Sequence, residues 1–269
     1  MKKTTLLFTL AFGVTSVFAQ DLTSKKGETM LPESGDWAIG ITANPFLNYL
    51  GNFIGGNGLN VAPNFNFLST NQTILGKYFV DEKTAYRAGI RLGFGSVSTH
   101  TKVPVVPATN PATFVDDVTK VGATNIGLTA GMEWRRGKTR LQGFYGAEAG
   151  IALGSGKTTN TYGNAISSTN PVPSRITEIK NGSTFGLGLR GFIGAEYFIL
   201  PKMALGGEFG WGLTLATTGE GQTTTEGWDG TGVVTTVSKT GKSSTFGVDT
   251  DNMNSVFGPA GTIRLTLHF

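Results

Sequence analysis

The C-terminal end of the chain alternates strictly between apolar and polar residues. Ile263, Leu265, Leu267 and Phe269 are apolar, and the residues between them are polar. Because successive side chains of a strand point to opposite sides, a period of two predicts a β-strand with one apolar and one polar face. Seven other segments alternate in a similar way. The eight predicted strands span residues 36–43, 73–80, 84–97, 121–135, 140–154, 183–199, 203–217 and 254–269.

The connections between these segments alternate in length, which predicts the fold. Three are short (81–83, 137–139 and 200–202), and four are long and rich in small polar residues (44–72, 98–120, 155–182 and 218–253). An even number of strands, short periplasmic turns and long outer loops are typical of outer-membrane barrels. A soluble sandwich is the alternative, but it does not require every second connection to be long. We predict an all-β, eight-stranded antiparallel up-and-down transmembrane β-barrel over residues 36–269, with long outer loops. Of these loops, 155–182 and 218–253 are expected to be polar and mobile.

The second strand is the least regular of the eight. Ile74, Tyr78 and Val80 share one face, but Leu75 and Phe79 fall on the other. Its start stays open between residues 64 and 73, because residues 64–67 also alternate.

Charged residues fall on one face of the predicted strands. No charge lies mid-strand on the opposite face of the seven clearest strands, where Arg or Lys at the bilayer midplane would cost ~2–4 kcal/mol. An eight-stranded barrel is only wide enough inside for side chains, and glycines on the inward face leave room for long ones. We predict a lumen closed by a salt-bridge network of Arg87, Arg91, Arg190, Arg264, Glu133, Glu148, Glu196 and Glu208.

Aromatic residues cluster at one end of successive predicted strands. Such rings lie at the headgroup level of membranes and form a girdle, although aromatic residues are common in any strand. The short turns lie at the same end, so the girdle is expected on the periplasmic side. Its predicted members are Trp37, Tyr78, Tyr86, Trp134, Tyr197 and Phe269.

The N-terminus has the features of a secretory signal peptide. Lys2 and Lys3 precede an apolar stretch, and Ala19 ends a small-x-small cleavage pattern before Gln20. We predict a signal peptide over residues 1–19 and a periplasmic segment over residues 20–35. Loss of the two lysines lowers the formal charge from +4 to +2, so we expect no nucleic-acid partner. The chain has no cysteine, which excludes a disulfide framework and a lipoprotein anchor.

Residues 36–269 together resemble the small eight-stranded bacterial outer-membrane β-barrels, in the architecture of the outer-membrane protein A transmembrane domain and of outer-membrane protein X. The resemblance implies a location in the bacterial outer membrane and contact with outer-membrane lipids. It also implies contact with the outer-membrane insertion machinery, which reads the terminal strand in that family. Phe269, Leu267 and Leu265 would carry this insertion signal. Members of the class include tethers, adhesion proteins, lipid A-modifying enzymes and accessory subunits, so location is implied more firmly than activity.

Motifs that could carry chemistry are few. A G-x-G-x-x-G match over 186–191 lies within a predicted strand, and no helix follows it to receive a dinucleotide. The phosphate-loop-like run 154–159 lacks its first glycine and a following helix. His100 and His268 are predicted at opposite ends of the barrel, so they cannot share a metal ion. Asp249 and Asp251 could hold Ca²⁺, but such pairs are common in loops. We expect no cofactor, no metal ion and no catalytic residue.

The first long loop predicts a helix. Residues 44–56 are too apolar for a solvated loop, and their apolar residues recur at helical spacing. Pro45 suits a first helical position, and Gly55 and Gly56 provide a stop. We expect a short amphipathic helix that rests in the outer-leaflet boundary, against a partner such as another outer-membrane protein, or as a lid on its own barrel. The contact residues would be Phe46, Leu47, Leu50, Phe53 and Ile54.

Three functions remain open from the sequence. The first is a non-enzymatic structural or interaction protein, which could be an accessory subunit of a larger outer-membrane complex. The second is a lipid-directed enzyme, for which His100 near Ser96 and Ser98 is the available cluster. The third is a narrow small-solute channel, which eight strands disfavour. The equal numbers of inward arginine and glutamate favour the first, because they form a structural network more readily than a catalytic pair.

Overall fold

The computed structural model describes residues 22–56, 74–248, 256–257 and 261–269. These residues form twelve strands, all of them paired antiparallel, and one helix. The predicted all-β antiparallel class is therefore confirmed, whereas the predicted signal peptide and its cleavage site lie outside the described residues. The elements are β1 (Trp37–Thr42), α1 (Asn44–Ile54), β2 (Ile74–Asp81), β3 (Thr84–Pro104), β4 (Phe114–Arg136), β5 (Leu141–Thr161), β6 (Arg175–Lys180), β7 (Thr184–Leu200), β8 (Met203–Thr218), β9 (Gly221–Trp228), β10 (Val233–Thr240), β11 (Ser243–Val248) and β12 (Gly261–His268).

Eight of the strands are hydrogen bonded in a ring. The order of pairing is β1-β2-β3-β4-β5-β7-β8-β12, and β12 pairs again with β1, where Ala38 lies opposite His268. Beyond this ladder, Trp37 and Phe269 exchange two backbone hydrogen bonds of 2.8 Å each. The backbone polar groups of the paired segments are thus satisfied within the sheet, as buried backbone requires.

Three of the segments predicted to be long loops contain strands instead. The β3–β4 hairpin continues through most of residues 98–120, and its ladder reaches Pro104 opposite Phe114. Strand β6 lies in the segment 155–182, and β9, β10 and β11 lie in 218–253. The loop prediction is wrong there because most of these strands contain several β-branched residues, Thr, Val or Ile, which favour strands. They have no buried apolar face that would produce alternation.

The last predicted strand is interrupted. Residues 254–269 were predicted to form one strand, but β12 begins at Gly261, and Val256 and Phe257 form a turn whose side chains are only 2% and 6% exposed. Strands β11 and β12 pair with successive parts of β8, so they occupy one position in the sheet. Val256 and Phe257 lie between them in the sequence.

The two faces of the ring differ in polarity. In β7, the outward Phe185, Leu187 and Leu189 are at least 44% exposed, whereas the inward Arg190 and Glu196 are each 3% exposed. The burial of β8 alternates in the same way. The interior of the ring therefore holds buried charged side chains together with buried apolar ones, while the outward face is apolar.

The predicted helix is confirmed as α1. Proline lies in its first turn, and the amide of Gly55 donates to the carbonyl of Gly51 at 2.9 Å to end it. Gly56 follows with a φ of 70°, which suits glycine. In the described part of the chain, no helix is long and apolar enough to cross a membrane.

Candidate functional site: the charged lumen of the ring

The structure brings the eight charged residues of the predicted network together inside the ring. None of them is more than 9% exposed. Two further cations lie among them, Lys77 and Arg135, each 2% exposed. Lys77 was missed because Leu75 and Phe79 flank it on the inward face of β2 and obscure the alternation. Arg135 lies two residues after Glu133 and could have been found by counting one step further along β4.

Four of these side chains form a closed cycle near the end of the ring where the short turns lie. Lys77 Nζ lies 3.0 Å from Glu133 Oε2 and 2.7 Å from Glu196 Oε1. Arg135 Nη1 lies 2.9 Å from Glu133 Oε1, and its Nη2 lies 2.8 Å from Glu196 Oε2. We call this the basal cluster. Each carboxylate contacts two cations and each cation two carboxylates, so no charge of the cycle is left without a counter-charge.

A second group, the central cluster, is centred on Glu208. Its Oε2 lies 2.8 Å from Arg87 Nη1 and 3.0 Å from Arg264 Nη1. Its Oε1 lies 3.1 Å from Arg190 Nη1, an ion pair without hydrogen-bond alignment. Glu148 contacts Arg190 at 2.8 Å and Arg87 at 3.4 Å. Three guanidinium groups therefore converge on one buried carboxylate.

Arg87 joins the two clusters. Its Nη1 is 3.4 Å from Glu133 Oε2 of the basal cluster, and its guanidinium carbon lies 3.8 Å from the centre of the Phe192 ring. In the basal cluster, Lys77 Nζ lies 5.0 Å from the centre of the Phe144 ring. Aromatic faces attract cations at such distances. The two rings therefore fill the space beside the ion pairs and also interact favourably with the buried cations.

Inward glycines provide the space for this network. A side-chain carbon at Gly206 would lie 2.5 Å from Glu196 Cγ, and one at Gly210 would overlap the guanidinium of Arg190. Carbons at Gly146 and Gly194 would meet the rings of Phe192 and Phe144. The glycines thus lie where long inward side chains of the neighbouring strand pass over the wall of the ring.

Val256 and Phe257 fill the lumen next to the central cluster. A side-chain carbon at Gly150 would lie 2.8 Å from Val256 Cγ1 and 3.0 Å from Phe257 Cε1. The centre of the Phe257 ring also lies 6.0 Å from the guanidinium carbon of Arg190. Arg91 lines the same small cavity as these two residues. We call Val256 and Phe257 the apolar plug.

The segment before β1 closes the end of the ring where the short turns and the basal cluster lie. Met30 is 1% exposed and packs against Phe198 and Ala204. Asp36 is ion-paired with Lys202 in the β7–β8 turn and accepts a hydrogen bond from the amide of Glu33 at 2.8 Å. Burial raises the pKa of Asp36, but the hydrogen bond and charge of Lys202 outweigh it, so this pKa lies below its usual value.

The predicted aromatic girdle lies at this closed end. The ring centres of Trp37 and Tyr78 are 4.9 Å apart, and those of Trp134 and Tyr145 are 5.7 Å apart. Tyr86 and Phe269 are 52% and 64% exposed, whereas Tyr197 is half-buried. Of the predicted insertion signal, Leu267 is exposed like Phe269, and Leu265 is half-buried.

The two histidines are in different surroundings. His268 is buried between Phe79 and Phe198, with ring centres 5.4 and 5.2 Å away. His100 is solvated, and its Nδ1 lies 3.9 Å from Asp116 Oδ2. Among the described residues, no serine hydroxyl is hydrogen bonded to His100, and no three His, Asp or Glu residues group as metal ligands would. Asp249 and Asp251 lie outside the described residues.

The predicted contact residues of α1 are described in part. Leu50, Phe53 and Ile54 are 51%, 70% and 76% exposed. The side chains of Phe46 and Leu47 lie outside the described part of the structure.

Comparison with known proteins finds a likeness of structure but not of family. No family model and no curated protein matches the chain. Among solved structures, the chain is similar to the outer membrane protein OprG from Pseudomonas aeruginosa, with 12% sequence identity, a TM-score of 0.30, and coverage of 89% of this chain and 98% of that chain. At this TM-score the likeness carries no argument about function.

Proposed function

We propose that this protein is a closed eight-stranded β-barrel of the bacterial outer membrane that acts as a non-enzymatic structural or interaction protein. The carrying observation is the inverted polarity of the ring, which is apolar and exposed outside but charged and paired inside. Its outer strands would be displayed at the cell surface, and it would serve alone or as an accessory subunit of a larger outer-membrane complex.

The outer face supports a position in lipid. In β7 and β8, both fully described, no charged residue lies on the outward face. Leu189, Ile193, Phe209 and Trp211 on that face are each at least 55% exposed. An apolar surface of this extent would associate or aggregate in water. It is the surface required of an outer-membrane barrel, which presents a band about 25 Å tall to the acyl chains.

The lumen supports a protein that does not conduct. The basal cluster, the central cluster and the apolar plug fill successive levels of the ring, and Met30 closes one end. Moving an ion or solute through would require breaking buried ion pairs, which costs several kcal/mol each. The combined test is membrane fractionation followed by planar-bilayer recording. We expect recovery from the outer membrane and no single-channel steps. Recovery as a soluble protein would contradict the barrel, and reproducible conductance would contradict the closed lumen.

An interaction role is tested by recovery from native membranes. A tagged copy extracted in mild detergent is expected to bring down a stoichiometric outer-membrane companion if the protein is a subunit, or lipid alone if it is a stand-alone surface protein. Hydrolysis or transfer on lipid A or phospholipid that is lost in His100→Ala would contradict both, because it would show an enzyme.

A further inference from the structure

We infer that α1 is immersed in the outer leaflet, with its exposed apolar side chains against lipid acyl chains. The inference rests on the proposed membrane position of the ring and specifies what the first long loop contacts. The starting observation is that Leu50, Phe53 and Ile54 project from a helix that directly follows β1, a strand of only six residues.

The register of the ring shows that α1 begins within the apolar band. The amide of Ala43 donates to the carbonyl of Ile263 at 2.7 Å, and Ile263 lies opposite Gly207 of β8. Beyond Gly207, β8 presents four more outward apolar side chains, each at least 44% exposed: Phe209, Trp211, Leu213 and Leu215. The chain therefore leaves the wall at a depth where the neighbouring strand still faces lipid.

The other side of β1 gives the same result. Strand β2 pairs with β3 up to Ile74 opposite Ile90. Gly40 of β1 lies opposite Leu75, and Leu75 lies opposite Gly89, so Ala43, three residues further along, reaches the level of Leu92 in β3. Beyond Leu92 the outward face of β3 continues with Phe94, which is 67% exposed. Strand tilt shifts the height by about 3 Å per strand step, since strands roughly 4.8 Å apart tilt by about 40°. Over the two strand steps from β1 to β8 this shift amounts to about 6 Å, whereas Leu215 lies eight residues beyond Gly207. The shift therefore does not carry the start of α1 out of the apolar band on the β8 side.

The composition of α1 suits hydrocarbon. None of the residues Asn44–Ile54 is charged. In its sequence, asparagine recurs every four residues, at 44, 48 and 52, and this period predicts a helix with one polar and one apolar side. Where the backbone leaves the sheet at this depth, a helix also satisfies its own hydrogen bonds, as hydrocarbon requires. A helix that acted as a lid would bury its apolar side against the barrel. In the described part of the structure, Phe53 and Ile54 are instead more than two-thirds exposed.

The absence of native cysteine allows a direct test with single-cysteine variants of the full chain. Phe53→Cys and Ile54→Cys are labelled with an environment-sensitive fluorophore and reconstituted in phosphatidylcholine vesicles. Quenching by chain-brominated lipid is compared with quenching by aqueous iodide. Phe209→Cys serves as the lipid-facing control and Val237→Cys, exposed on β10, as the aqueous control. Heat-modified migration on gels confirms that each variant is folded.

Labels at 53 and 54 are expected to lose fluorescence with brominated lipid as Phe209→Cys does, and to resist iodide. Quenching by iodide as at Val237→Cys would overturn the inference and place α1 in water. Protection from both quenchers would also overturn it, because α1 would then be covered by protein. If Phe209→Cys itself escapes brominated lipid, the proposed membrane position fails, which distinguishes that failure from a failure of the helix inference alone.

Discussion

At the residue scale, Glu208 is an anion on which three guanidinium groups converge, those of Arg87, Arg190 and Arg264. The change Glu208→Gln keeps the shape but leaves three buried guanidinium groups with less counter-charge. Removing one partner of a buried ion pair typically costs about 3–5 kcal/mol. We expect a loss of that order in the free energy of unfolding, measured by urea titration in lipid vesicles.

The matched control for this change is Glu226→Gln. Glu226 also pairs with an arginine, Arg175 at 2.7 Å, but the two side chains are 26% and 14% exposed on β9 and β6. A pair that water reaches contributes about 0–1 kcal/mol. Equal losses for the two variants would show that the lumen is hydrated and that the central cluster is not a closed network.

A second prediction at this scale concerns Gly210. The change Gly210→Ala places a carbon where the Arg190 guanidinium lies, and Arg190 must then move from Glu148 and Glu208. Overpacking of this kind costs about 1–3 kcal/mol. Gly207→Ala, on the same strand but facing outward with nothing within 4 Å, is expected to be neutral. Thermal unfolding, followed by the change in gel migration on heating, measures both, and equal stability would contradict the assigned faces of β8.

The sequence predicted the inward face of most strands because side chains alternate between the two faces. Once one charged residue is assigned to the inward face, the face of every other residue in that strand follows. Lys77 escaped because the lumen also holds apolar side chains: Leu75 and Phe79 share its face. In a soluble sheet, the apolar residues of such a strand would be enough to identify its buried face. The physical reason for the miss is that a narrow charged lumen is packed partly with rings, so inward polarity is mixed.

At the element scale, the interruption between β11 and β12 puts the apolar plug inside the ring. Phe257→Ala removes a ring that is 6% exposed and faces Gly150 and Gly188. We expect destabilisation on the order of 3 kcal/mol, as for other buried rings, but no conductance, because both ion-pair clusters remain intact. Phe246→Ala, 65% exposed on β11, should have a smaller effect on urea unfolding. Current through Phe257→Ala would show that the plug, rather than the clusters, closes the lumen.

The outer strands show where sequence patterns stop being informative. Strand β10 is exposed along its whole length, so neither face selects apolar residues and no alternation arises. The remaining signal was the intrinsic strand propensity of the residues, since residues 233–237 contain only Val and Thr. The interruption of the last strand was equally hidden, because Val256 and Phe257 are apolar whether they face lipid or fill the lumen.

At the scale of the whole molecule, the two ends of the ring differ, and this difference predicts the orientation of the proposed barrel. The girdle, the basal cluster and the short turns lie at one end of the ring, whereas β6, β9 and β10 extend from the other. In an outer membrane the short turns face the periplasm. The β9–β10 turn should then face the outside of the cell, and the β4–β5 turn the periplasm.

This orientation predicts opposite labelling of two turns in intact cells. Thr231→Cys lies in the exposed β9–β10 turn and Lys138→Cys in the exposed β4–β5 turn, and no native cysteine competes. A membrane-impermeant maleimide should label Thr231→Cys in whole cells, but Lys138→Cys only after the outer membrane is permeabilised, because the closed lumen gives the reagent no passage. The reverse labelling pattern would show that the barrel has the opposite orientation in the membrane. Labelling of both turns in whole cells, with a periplasmic marker protein still unlabelled, would mean that the ring does not span the membrane.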